Sequence, residues 1–156
     1  MRNLIILLAL SVSAFSFGQT KGQYTFGIGQ NFTTADNTAN VGYFVMDGLM
    51  VSLEFHMMTD SGAEDDNGDA IEDGSTDWGF GARYYIGDDG LWAGVNMNSA
   101  TDSEGEDAMD MGIHVGCSKV LGFDGKLWFE PSFGIMMPAA NDAMHLGLGM
   151  GFRFAF

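Results

Sequence analysis

The thirteen residues from Met144 to Phe156 constrain this chain more than any other stretch. Met144, Leu146, Leu148, Met150, Phe152, Phe154 and Phe156 alternate with His145, Gly147, Gly149, Gly151, Arg153 and Ala155. One face of such a strand is wholly apolar, and the other is mostly glycine with one Arg and one His. A strand half-buried in a soluble core also alternates, but its polar face carries Lys, Glu and Thr toward water. A greasy face opposite a small, polar one is the pattern of a strand in a transmembrane β-barrel.

The same period of two recurs along the chain. It marks strands at 23–32, 40–46, 49–58, 78–86, 91–99, 109–119, 126–137 and 144–156. Asp47-Gly48, Asp88-Asp89-Gly90 and Gly122 to Gly125 are tight turns. Longer polar segments, 33–38, 59–76, 100–108 and 138–142, connect the strands at the opposite end. The predicted fold is all-β, an eight-stranded antiparallel up-and-down transmembrane β-barrel with short periplasmic turns and long extracellular loops. A soluble barrel of similar strand count puts its apolar residues inside, whereas here the inward set is Gly, Asn, Ser, Glu and Arg. Tyr24, Tyr43, Tyr84, Phe129, Phe154 and Phe156 fall near the short-turn end, as an interfacial girdle requires. Pro131 interrupts one strand and predicts a local bulge.

Residues 1–18 read as an export signal. Arg2 supplies the positive start, Leu4 to Leu10 and the residues beyond to Phe17 form the apolar region, and Ser16-Phe17-Gly18 is the cleavage motif, with processing before Gln19. A membrane-spanning helix needs about twenty apolar residues, and Ser11, Ser13 and Ser16 break this run. Residues 19–156 then form the barrel domain, exported across the inner membrane; the resemblance that Phe152, Phe154 and Phe156 carry to the C-terminal signal of outer-membrane barrels implies the outer membrane of a Gram-negative bacterium as its destination.

Phe152-x-Phe154-x-Phe156 resembles the terminal aromatic signal of outer-membrane barrels. The whole mature length is similar to the small eight-stranded OmpA/OmpX-like barrel family. The resemblance implies that Phe152, Phe154 and Phe156 act as an assembly signal for the barrel-assembly machinery, and that outer-membrane lipid surrounds the barrel.

Charge narrows the partners. With 21 acidic residues against six Lys and Arg, the net charge is −15, which excludes nucleic acid as a partner. Most of the acids fall in the long loops, including Asp60, Glu64, Asp65, Asp66, Asp69, Glu72 and Asp73 in the second and Asp102, Glu104, Glu106 and Asp107 in the third. Asp65, Asn67, Asp69 and Asp73 have the spacing of oxygen ligands in a calcium loop. However, Ala70 stands at the turn glycine and no Glu closes the loop. Ca²⁺ or Mg²⁺ at these loops is the one cofactor expectation, beside a solvated acidic loop that binds nothing.

Inward parity gathers three sets of residues. Glu54, Arg83, Glu130 and Arg153 are expected to pair as an interior charge network, because unpaired charges inside a narrow barrel are costly. Phe44, Tyr85, Trp92 and Trp128 are expected to plug the periplasmic mouth of a bore only wide enough for side chains. His56, Asp110, His114 and His145 are interior polar groups without metal-ligand spacing. The function these imply is a barrel with a plugged polar interior and a structural or surface-interaction role in the cell envelope, without catalytic residues and not an enzyme. A narrow channel for small solutes or ions and an outer-membrane lipid-acting enzyme are the alternatives. Nothing in the sequence names an extracellular partner.

Overall fold

Nine strand segments succeed one another in the computed structural model, which describes residues 19–31, 37–58, 75–101, 104–140 and 143–156. They are β1 (Tyr24–Asn31), β2 (Asn37–Met46), β3 (Leu49–Met58), β4 (Ser75–Ile86), β5 (Leu91–Thr101), β6 (Asp107–Cys117), β7 (Lys119–Gly122), β8 (Leu127–Met137) and β9 (His145–Ala155). All pairings are antiparallel between neighbours in the chain, except that β1 pairs with β9 and β6 pairs with β8. β6 and β7 form a single stave broken at Ser118, so the barrel has eight staves and no free edge. The signal at residues 1–18 and the acidic stretch holding Asp65, Asn67, Asp69 and Asp73 lie outside the described residues.

The alternation dictates which side each residue takes. Along β3, Val51, Leu53 and Phe55 are exposed on the outside while Ser52 and Glu54 are buried inside. The same holds around the circumference, from Phe26 on β1 through Phe80, Val95 and Ile113 to Phe152 on β9, all of which turn outward. An apolar belt continuous around a whole molecule is incompatible with water, because soluble proteins expose only limited contiguous apolar patches. This is a transmembrane β-barrel.

The seam between β1 and β9 runs from Thr25 opposite Ala155 to Asn31 opposite Gly149. Two further backbone bonds fasten its end, Tyr24 N to Phe156 O at 3.0 Å and Phe156 N to Tyr24 O at 2.9 Å. Aromatic rings cluster on the outside here: Tyr24 lies 4.9 Å from Tyr43 and 6.5 Å from Phe156 between centroids. Such rings suit the level where hydrocarbon gives way to headgroups.

The short turns occupy residues 47–48, 87–90 and 123–126. The third begins one residue later than the sequence indicates. A register shift between Val120 and Gly122 takes up a residue, and Phe123 and Asp124 both enter the left-handed region at φ 54° before Gly125 at 84°.

Pro131 does not produce the expected bulge. The β6–β8 pairing ends at Gly116 opposite Ser132, and the β7–β8 pairing starts at Lys119 opposite Phe129, in unchanged register. The missing proline N–H is accommodated by a gap in the ladder instead of an inserted residue. On its other side Pro131 stays in register opposite Met150. Across the gap, Ser118 N bonds to Gly90 O at 2.7 Å, which holds the interrupted stave to the turn before β5.

Candidate functional site

The inward side chains stack in tiers, starting at the short-turn end. Phe44, Met50, Tyr85, Trp92, Trp128 and Ala155 form one buried cluster, with Val120 packed against it. Phe44 and Tyr85 rings lie 5.6 Å apart, and Tyr85 meets Trp128 edge-on at 6.3 Å. Trp128 Nε1 donates to Gly125 O at 2.6 Å, which ties the tier to the third turn. A bore of this strand number is only wide enough for side chains to fill, and these rings fill it. Met50 was not singled out from sequence, although its parity places it inward.

Above the rings sits Glu130. Its Oε2 accepts from Arg83 Nη1 at 2.7 Å and from Arg153 Nε at 3.0 Å. Its Oε1 accepts from Ser118 Oγ at 2.8 Å and Tyr85 OH at 3.3 Å. Arg153 also donates through Nη1 to Asn40 Oδ1 at 2.7 Å and Thr25 Oγ1 at 3.0 Å. Arg83 lies 4.2 Å over the Trp92 ring, a cation–π contact that joins the charged tier to the rings. Glu130 is 5% exposed and Arg153 1%. A carboxylate and a guanidinium so buried are stable only when paired and further hydrogen-bonded, and here Glu130 accepts on both oxygens while Arg153 donates through Nε and Nη1.

Glu54 stands apart from this cluster. Its Oε1 accepts from Ser52 Oγ at 3.0 Å, and Oε2 lies 3.8 Å from His56 Nε2. Among the described residues no ion pair joins Glu54 to an arginine. Sequence parity gives the face a residue occupies but not its position around the circumference, and one carboxylate already serves both arginines. Ser118, Thr25 and Asn40, which complete the cluster, were missed as partners. Ser118 shares even parity with Asp110, Gly112, His114 and Gly116, and that signal could have found it.

The other interior polar residues lie farther toward the long-loop end. His56 Nδ1 is 3.3 Å from Thr38 Oγ1, and His114 Nε2 is 2.8 Å from Asn96 Oδ1. Asp110 Oδ1 accepts from Ala139 N at 2.7 Å, tying down the chain beyond β8. His145, expected inside, is instead exposed, because it is the first residue of β9, where the strand leaves the long-loop rim. Among the described residues no group of three His, Cys, Asp or Glu side chains could hold a metal ion.

Inward glycines make room for these side chains. A Cβ on Gly134 would collide with the His114 ring, one on Gly112 with Asn96, and one on Gly81 with Glu54 and Ser52. Where bulky residues are lacking on β9, at Gly147, Gly149 and Gly151, a lumen cavity of about 140 Å³ opens. It reaches down to Trp92, Glu130 and Arg153.

No protein-family profile and no curated protein sequence matches the chain. Solved structures do. The N-terminal β-barrel domain of Pseudomonas aeruginosa OprF matches with a TM-score of 0.56 at 14% identity, over 86% of this chain and 96% of that one. The fold is that of a small eight-stranded outer-membrane barrel. Yersinia pestis outer membrane protein Ail matches with a TM-score of 0.50 at 12% identity, covering 87% of this chain and all (100%) of that one. At such identities the likeness is one of fold, and what this barrel does must come from its own side chains. Those at the short-turn end of its lumen pack into one buried cluster.

Proposed function

We propose that this chain is a closed barrel of the Gram-negative outer membrane, exported with a cleaved signal at residues 1–18, whose role is structural or surface-interacting. One observation carries the reading. Phe44, Met50, Tyr85, Trp92 and Trp128 are each no more than 3% exposed, and a hydrogen-bonded Glu130–Arg153 pair lies directly above them. A bore filled in this way supports a barrel whose active surface is its loops. In the sequence, most of the chain's acidic residues fall in two of the long connecting segments, 59–76 and 100–108. A rim of that charge suits a partner that is cationic or bridged by divalent ions, and Ca²⁺ or Mg²⁺ is the ligand class it favours.

The barrel carries out no catalysis on this reading, since its buried acids Glu54 and Glu130 are engaged by serine and arginine side chains. Its partners are the surrounding lipid and the assembly machinery that reads Phe152, Phe154 and Phe156, with the extracellular partner set by the loops. Protease added to intact cells tests the orientation. Cleavage within residues 59–74, with the turn at 87–90 intact, is the expected pattern. Cleavage at 87–90 alone would place the loops in the periplasm and remove them as a surface.

A further inference from the structure

The lumen cavity has walls of opposite character. On the β9 side it is bare glycine backbone, at Gly149 and Gly151, while the facing wall is polar. Two of the polar wall residues are more than nine-tenths buried and carry an atom without a hydrogen-bond partner, Trp92 Nε1 and Asn98 Oδ1. An unpartnered donor and an unpartnered acceptor on one cavity are costly unless something in the cavity satisfies them.

The strand register sorts donors from acceptors. On β4, which runs from the long-loop end toward the short turn, Gly79 lies between Glu54 on one side and Asn98 on the other. Arg83 and Tyr85, deeper on the same strand, pair with Gly94 and Trp92. The acceptors Glu54 and Asn98 therefore sit nearer the mouth, and the donors Arg83 and Trp92 nearer the floor, where the one carboxylate, Glu130, is already held by Arg83, Arg153, Ser118 and Tyr85. A simple anion would meet Glu54 on its way in, and a simple cation would meet Arg83 at the bottom. An apolar guest would leave both unpartnered atoms unsatisfied.

We propose that the lumen is a blind cup for one small zwitterion, an α-amino acid of the size of glycine or alanine. Its carboxylate would face Arg83 and Trp92, and its ammonium group Glu54 and Asn98. Size agrees, since an apolar cavity of about 150 Å³ holds one benzene, which has as many heavy atoms as alanine. The site shares the ring stopper as its floor, but does not depend on what the outer loops bind.

The test is a titration of ¹⁵N-labelled barrel in detergent micelles, reading the Trp92 indole N–H resonance, assigned by its loss in Trp92→Phe. Glycine should move that resonance in a saturable way, while acetate alone and methylammonium alone should not. In Asn98→Ala, with folding verified by a heat-dependent shift on a gel, glycine should bind about tenfold more weakly, equivalent to 1.4 kcal/mol. No saturable shift with glycine would show that the cavity holds water only. An equal response to acetate or methylammonium would show an adventitious additive only. Either result, or unchanged glycine affinity in Asn98→Ala, would overturn the proposal.

Discussion

Ser118 Oγ donates to Glu130 Oε1 at 2.8 Å across the one place where the ladder joining β8 to the stave of β6 and β7 is interrupted. The gap beside Pro131 removes backbone bonds, and a buried side-chain bond to a charged acceptor spans the same interval. Hydrogen bonds to charged groups contribute about 1.5–3 kcal/mol. Ser118→Ala should therefore lower stability by about that amount, read as the urea midpoint of barrel refolded in phospholipid vesicles. A midpoint equal to wild type would show that the bond carries no weight at the gap.

Glu130 and Glu54 separate sharply in consequence. Glu130→Gln leaves Arg83 and Arg153 buried around a neutral amide, and breaking a buried pair from one side costs about 3–5 kcal/mol. Glu54→Gln keeps a hydrogen-bond acceptor for Ser52 and touches no guanidinium, so a loss of about 1 kcal/mol or less is expected. Urea unfolding of the two variants checks this order, and equal losses would place Glu54 in the same network as Glu130.

Gly134→Ala should destabilise the barrel by about 1–3 kcal/mol, because the new methyl group overlaps the His114 ring. Adding His114→Ala should recover much of that loss. Contacting residues couple non-additively, and strict additivity in the double-mutant cycle would contradict the packing of imidazole over glycine.

Deleting Phe156 removes both of its backbone bonds to Tyr24 at the closing seam, whereas Phe156→Ala removes the ring alone. The deletion should reduce the fraction of heat-modifiable barrel recovered from membranes more than the substitution does. If the two lower it equally, the ring acts as a signal and the seam bonds add little.

The strand count, the inward and outward sets and the positions of the turns were legible because a period of two survives along every stave of a closed barrel. Lipid outside and a narrow lumen inside allow few exceptions. Contacts across the lumen were less legible. Whether Glu54 or Glu130 meets the arginines depends on the stagger between staves, which alternation within one strand does not encode. The gap at Cys117 and Ser118 depends on how β6 and β8 meet beside Pro131, a pairing between strands that proline alone does not specify. The lumen cavity follows from three glycines on β9 facing residues several staves away, a relationship visible only once the barrel is closed.

The claim that the bore is sealed is tested most directly by single-channel recording in planar bilayers, with folding verified beforehand on a gel. Silence across a wide voltage range is the predicted result, because Phe44, Tyr85, Trp92 and Trp128 close the short-turn end beneath the Glu130 cluster. Reproducible openings that disappear when the protein is omitted would contradict it.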